Sequence, residues 1–251
     1  MLILAMDTST MVGGVALLKN GVTVGEHILN VRATHSERLM SSVQALMSAA
    51  GVGPGDLDAI ACGVGPGSFT GVRIGVSACK AMAYALSIPI VSVPSLDALA
   101  YGRGRGARAV WCLIDARHER CYSASFVPPE SGDVWWPERA SAYAVRYVGE
   151  VATLARETAS ALASSVSGDS GRPERVLFLG DGALAYAESL RSELPGVAEI
   201  PPAPMCMLRP SQVGLLGFDL LSAGIADDPA SVVPMYLRPS EAEVRLAEGK
   251  R

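Results

Sequence analysis

Apolar residues run unbroken from Leu2 to Met6 and stop at Asp7, a short hydrophobic block of the kind that forms a strand buried on both faces. Asp7-Thr8-Ser9-Thr10 turns the chain. Val12 to Leu18 predicts a second strand, ended by an Asn20-Gly21 pair suited to a tight hairpin, and Val22 to Leu29 a third. The period then changes. Thr34-His35-Ser36-Glu37 has the spacing of a capping box, and Leu39, Met40, Val43, Leu46, Met47 and Ala50 recur at three- and four-residue steps on one face of a helix that should end near Gly51. Leu57 to Val64 predicts a strand, Gly65-Pro66-Gly67-Ser68-Phe69-Thr70-Gly71 a tight loop, Val72 to Leu86 a helix and Ile88 to Val93 another strand. Gly71, Gly75, Ala78, Cys79 and Met82 line one side of that helix, so a second helix can approach it closely.

Gly102-Arg103-Gly104-Arg105-Gly106 is flexible, charged and free of apolar residues, and it marks the expected division into units 1–103, 104–207 and 208–251. Beyond it the opening pattern restarts. Ala109 to Ile114 predicts a buried strand, Asp115 to Arg120 a polar turn and Cys121 to Val127 a return strand. A helix over Val148 to Ala163, a polar loop from Ser164 to Glu174 and a strand over Val176 to Leu179 follow, the strand ending at Gly180-Asp181-Gly182-Ala183. A helix then runs to Leu194, and Pro210 to Ala223 makes a final helix ahead of a polar tail. The class is α/β, with two tandem units and a C-terminal helix expected to pack back on the first.

Composition narrows the class further. With 49% hydrophobic and 18% charged residues, 26 glycines and 16 prolines, the chain reads as a folded α/β protein, and 6% aromatics means an aliphatic core. The net charge of −4 argues against binding RNA alone, which needs a basic surface. Cys62, Cys79, Cys112, Cys121 and Cys206 are odd in number, widely spaced and mostly set in apolar runs, as expected of reduced cysteines in a cytoplasmic protein. The N-terminus lacks a basic leader, and no stretch reaches the ~18 apolar residues of a membrane span. A soluble protein without membrane contact is expected.

Candidate chemistry is sparse. His27, His35 and His118 are scattered, with no H-x-x-x-H or H-E-x-x-H helix to hold a metal. Gly65-Pro66-Gly67 with Ser68 and Thr70 either presents N–H donors to an anion or is simply a tight strand-to-helix turn; it lacks the lysine of a Walker loop, since Lys80 lies further along the helix. Ser68 has no evident base to make it a nucleophile. Asp115, Arg117, His118 and Glu119 form either a polar site or a solvated turn. Trp135-Trp136 either anchors in a core or stacks on a partner.

Two halves that each open with a strand–Asp–strand turn, followed by a late strand ending in glycines, resemble the actin, sugar-kinase and Hsp70-like ATPase superfamily. That resemblance implies Asp7-Thr8 as a first phosphate turn, Asp115-Ala116-Arg117 as a second and Gly180-Asp181-Gly182-Ala183 as an adenosine loop. An Asp at a strand end can hold hydrated magnesium while nearby N–H groups accept phosphate oxygens. A more specific match lies in Met6-Asp7-Thr8-Ser9, Thr34-His35-Ser36-Glu37, the Gly65 to Gly75 segment, Ser92 to Leu99 and the tail Pro234 to Ala242. These segments are similar to the TsaB (YeaZ-type) family, strongly so up to about residue 125 and again at the C-terminus.

The TsaB resemblance implies a non-catalytic scaffold and activator for threonylcarbamoyl transfer to the tRNA adenosine next to the anticodon. It implies pairing with a catalytic TsaD-type paralogue, recruitment of a TsaE-type P-loop ATPase, contact with tRNA only through the complex and self-association when the partner is absent. The catalytic paralogue follows its glycine helix with metal-binding histidines; here Pro94-Ser95-Leu96-Asp97-Ala98-Leu99 stands in that place and offers only Asp97. No tightly bound cofactor is expected, with ATP or ADP and magnesium at most at the interface of the complex. Spacing alone assigns the helical stripe to the chain's own core. The resemblance implies instead that Leu39, Met40, Val43, Leu46, Met47, Arg73, Val76, Cys79, Lys80 and Ala83 form the partner interface, while Asp7, Thr8, Asp115, Gly180, Asp181 and Gly182 remain as a nucleotide-cleft remnant. The rival reading is an autonomous ATPase or small-molecule kinase with Asp7 and Asp115 on magnesium.

Overall fold

The computed structural model describes residues 1–30, 35–103, 108–127, 138–164 and 174–239. The expected capping box at Thr34, the linker at 104–106, Trp135-Trp136 and most of the 164–174 loop lie outside these residues. The first half contains β1 (Leu2–Asp7), β2 (Val12–Lys19), β3 (Val22–Asn30), α1 (His35–Ala50), β4 (Ala59–Gly63), α2 (Phe69–Leu86), β5 (Ile90–Val93) and α3 (Ser95–Arg103). The second contains β6 (Val110–Asp115), β7 (Arg120–Val127), β8 (Glu138–Arg139), β9 (Ala144–Tyr147), α4 (Val148–Ser164), β10 (Val176–Leu179), α5 (Asp181–Ala185), α6 (Ala187–Glu193), β11 (Ala198–Glu199) and α7 (Ala203–Cys206). Helix α8 (Pro210–Ser222) is the last helix among the described residues.

Strand β1 is central, antiparallel to β2 and parallel to β4, and all its residues are buried, as its unbroken apolar run requires. The β2–β3 hairpin turns at Asn20 and Gly21, whose φ angles of 50° and 74° fit the mirror-image turn that this residue pair favours. The first sheet has the order β3-β2-β1-β4-β5, and the second repeats it as β8-β7-β6-β10-β11, with β9 also on β7. This repeated order is the actin-like arrangement expected from the two strand–Asp–strand openings.

The two halves exchange helices. One face of the first sheet, with Leu4, Met6, Val15 and Leu17, packs on α1 and α2. Its other face, with Ile3, Ala5, Ala16, Leu18 and Ala61, is covered by α8, while α3 lies on β6 and β7 of the second sheet and against α8. Sheet, α8, α3 and sheet therefore form successive layers of one aliphatic core. The approach of α8 is close: a Cβ on Gly214 would come within 2.1 Å of Leu18 Cδ1. Glu26 of β3 fixes the start of α8 by accepting from Ser211 N at 2.8 Å and Arg209 Nε at 3.0 Å. The outer face of the second sheet packs Trp111, Leu113 and Cys121 against α4 and α6.

Two sequence expectations are corrected. The helix expected to run on to Leu194 is broken into α5 and α6 at Tyr186, whose φ of −114° and ψ of 24° leave the helical region. Residues 95–103, read only as a motif, form α3. All five cysteines are buried as free thiols. Among the described residues no helix is long and apolar enough to cross a membrane.

Candidate functional site

The two aspartate turns, alike in sequence, differ in what surrounds them. Asp7 ends β1 with 1% exposure. Its Oδ1 accepts from Ser9 N at 2.8 Å and Ser9 Oγ at 2.7 Å, and its Oδ2 accepts from Ser95 Oγ at 2.8 Å. The glycine loop closes over this turn. Ser68 N donates to Ser9 O at 2.7 Å, and Thr8 Oγ1 donates to Gly71 O at 2.7 Å. Any side chain on the facing glycines would collide: a Cβ at Gly63 would reach 2.0 Å from Asp7 Oδ2, and at Gly67 2.1 Å from Ser9 O. Hydrated magnesium needs open carboxylate oxygens, and the Asp7 turn does not fit it. The loop reads as a tight strand-to-helix turn, in which Ser68 caps α2 by accepting from Gly71 N at 3.3 Å.

The second turn is more open. Asp115 Oδ1 accepts from Arg117 N at 2.8 Å and Tyr186 Oη at 2.9 Å, and Asp115 N donates to Asp181 Oδ1 at 3.0 Å. Burial pushes the Asp181 carboxyl up to about 6; the Asp115 amide pulls against this and the Asp115 charge adds to it. Burial and the bond to Asp115 raise the Tyr186 phenol to about 12. Gly180 takes a φ of 104° with its N–H on Cys206 O at 2.7 Å, and Gly182 is buried beside Cys121. Arg117, His118 and Glu119 are exposed, the solvated turn of the two readings. Sequence reasoning missed Ser95 and Tyr186, the side chains that hold the two aspartates; only the register of folded elements brings them there.

The stripe expected to face a partner lies largely inside this chain. Leu39, Val43, Met47, Val76, Cys79 and Ala83 are all 5% exposed or less and pack on the first sheet. This burial is what the spacing alone predicts, and it takes these six side chains out of the interface that the resemblance implies. Leu46 is half-buried against β3, where a Cβ on Gly25 would meet its Cδ1 at 2.8 Å. On the outside of the helix pair, Met40 is 47% and Tyr84 81% exposed, with Ser41, Gln44, Arg73, Ser77 and Ala81 also exposed.

A C-terminal strap flanks this face. Lys80 Nζ donates to Ala230 O at 3.1 Å and Val232 O at 2.7 Å, and Met235 N donates to Val64 O at 2.8 Å. Tyr236 stacks on Phe69 with ring centroids 4.5 Å apart, and Arg73 donates to the Tyr236 hydroxyl at 2.8 Å. Arg238 Nη1 then reaches Ala116 O in the second half at 3.2 Å. Among the described residues no group of three or more His, Cys, Asp or Glu side chains is arranged to hold a metal.

Comparison with known proteins gives consistent matches. The family model for TsaD, tRNA N6-adenosine threonylcarbamoyltransferase, matches residues 29–246. The chain is 31% identical over 251 residues to the tRNA threonylcarbamoyladenosine biosynthesis protein TsaB of Bacillus subtilis, covering 100% of both chains. It is 38% identical over 144 residues to the protein of the same name from Escherichia coli, covering 57% of this chain and 62% of that one. The solved structure of YeaZ from Pseudomonas aeruginosa superposes with a TM-score of 0.70 at 29% identity, covering 94% of this chain and 99% of that one.

Proposed function

The chain belongs to the TsaB (YeaZ) family, and from that premise we propose that it is a non-catalytic subunit in the biosynthesis of tRNA threonylcarbamoyladenosine. It pairs with a TsaD-type catalytic paralogue, supports recruitment of a TsaE-type ATPase and meets tRNA through the complex. The reading is supported above all by Asp7, whose carboxylate is turned inward onto Ser9 and Ser95 instead of toward a cleft. In an autonomous ATPase of this fold that carboxylate would hold the magnesium of the nucleotide.

The surface offered to the paralogue is the exposed side of α1 and α2, where Met40 and Tyr84 project beside the small residues Ser77 and Ala81. Small residues let another helix come near, and an exposed aromatic supplies contact area. The same face accounts for self-association when the paralogue is missing. ATP or ADP with magnesium is held, if at all, at the interface of the complex.

Reconstitution of tRNA modification from purified components tests the proposal. Omitting this chain should abolish product, and activity should titrate to a molar equivalence with the catalytic paralogue. ATP turnover by the isolated chain, lost in Asp7→Asn, would replace this reading with that of an autonomous ATPase or kinase.

A further inference from the structure

A cavity of about 340 Å³ lies between the two halves, at the small end of the ~300–1,000 Å³ range of small-molecule sites. Its apolar wall is assembled from distant parts of the chain. Val91 comes from β5, Phe126 from β7, and Leu216 and Leu220 from α8. These side chains belong to the shared aliphatic core or pack against it, on the face of the first sheet opposite α1 and α2. Ile225, 49% exposed, marks the opening to solvent.

Three charged side chains interrupt this wall: Asp97, Arg139 and Asp227. Two of them are matched to each other. Arg139 Nη1 stands 4.0 Å from Asp97 Oδ2, its guanidinium lies 4.1 Å from the centre of the Tyr143 ring, and Tyr143 Oη donates to Asp97 at 2.8 Å. Asp227 is held differently. Its N donates to Ile90 O at 2.7 Å and its Oδ2 accepts from Ser92 N at 2.7 Å, which pins the segment after α8 to the edge strand of the first sheet. No cation pairs with Asp227 among the described residues. The wall thus carries one negative charge that nothing on it balances. Burial raises the Asp97 carboxyl while Tyr143 and Arg139 act in the opposite sense, and a further cation in the cavity would add to their effect.

We propose that this cavity binds a small organic ammonium, with its charged end at Asp227 and its apolar body against Phe126, Leu216 and Leu220. Such a molecule gains a charge-assisted bond at one end and loses contact with water along the rest. An anionic ligand would meet two acidic side chains and one arginine that is already engaged. A wholly apolar ligand would desolvate Asp227 and give it no partner in return. Because the walls come from both sheets and from α8, the ligand also braces the two halves. The site takes no lining residue from either aspartate turn, and it stands whether or not the role proposed above is confirmed.

Isothermal titration and thermal unfolding of the full chain at pH 7 and constant ionic strength test it, with phenethylammonium, phenethyl alcohol, phenylpropionate and methylammonium as probes. Phenethylammonium should bind saturably and raise the melting temperature, as a ligand of the folded state does. The alcohol, which lacks the charge, and methylammonium, which lacks the apolar body, should each bind about tenfold more weakly or worse, and phenylpropionate most weakly. Asp227→Asn keeps an acceptor for Ser92 N; it should weaken phenethylammonium about tenfold and leave the alcohol unchanged. Asp228→Asn alters the net charge equally at an exposed neighbour and should change neither. No saturable binding of phenethylammonium, an alcohol or methylammonium that binds as tightly, or equal effects of the two asparagine variants overturns the proposal.

Discussion

The Ser95 hydroxyl donates to Asp7 Oδ2 at 2.8 Å, joining the first residue of α3 to the last residue of β1 across 88 positions of sequence. Because α3 lies on the second sheet, this one bond ties the central strand of the first half to the layer that faces the other half. The Asp7 carboxylate is a clamp between the two layers.

Asp7→Ala should therefore act on stability. It strands Ser9 N, Ser9 Oγ and Ser95 Oγ in a buried site, and hydrogen bonds to a charged group contribute about 1.5–3 kcal/mol each, less than additively. A loss of about 3 kcal/mol or more in urea unfolding is expected, with Ser95→Ala losing about half as much. An unchanged unfolding midpoint in Asp7→Ala would mean that the carboxylate is not a structural clamp.

Met40→Glu and Met47→Ala separate surface from core. Met40 is 47% exposed and Met47 4%. The first change should leave the melting temperature unchanged while abolishing co-purification with the catalytic paralogue; retained co-purification would remove this face from the interface. The second should cost about 2–4 kcal/mol, as for other buried large-to-small changes, read as a lower urea midpoint at unchanged slope.

Stability should also carry the signature of Asp181. Its carboxyl, raised from 3.8 in the unfolded chain to about 6 in the folded one, holds its proton longer when folded. The sign follows from linkage: the folded state binds more protons across that window, so this group's contribution to stability is greatest below about 4 and is lost as pH rises through about 6. Asp181→Asn keeps an acceptor for the Asp115 amide and removes the titration. Melting curves between these limits should fall with pH more steeply in the parent than in the variant, and parallel curves would refute the assignment.

Glu26→Ala should loosen α8. The Glu26 side chain is 8% exposed and accepts from Arg209 and from Ser211 N at 2.8 Å. Its loss leaves the Arg209 side chain without its carboxylate and Ser211 N without its acceptor, at a cost of about 1–3 kcal/mol. Hydrogen exchange should quicken in α8 and in the β1 and β4 amides beneath it; an effect confined to Arg209 and Ser211 would show that Glu26 does not hold the helix.

The elements with strong local signals were readable in sequence. The apolar run Leu2 to Met6, the Asn20-Gly21 turn and the spacing in α1 each state a structure within a few residues, and the restart at Ala109 exposed the duplication. Strands as short as β8 and β11 carry too few residues for a pattern, and α3, nine residues long and running into the glycine- and arginine-rich segment from Gly102, shows too little helical period to stand out. The site was legible only as residue types. Asp7 and Asp115 stand in the same motif, yet what distinguishes them is Ser95 on one and Tyr186 on the other, contacts set by packing over long separations. The α1 stripe shows the reverse case: its spacing points to the chain's own core, where Val43 lies, and only the resemblance turns it toward another chain.

The layered exchange of helices has a consequence for biosynthesis. The residues that cover Ile3, Ala5, Leu18 and Ala61 come from α8, which begins only at Pro210. A nascent polypeptide leaving the ribosome must carry one open aliphatic sheet surface until α8 has been made. Prematurely terminated products would keep that surface uncovered, making them clients for chaperones and proteases.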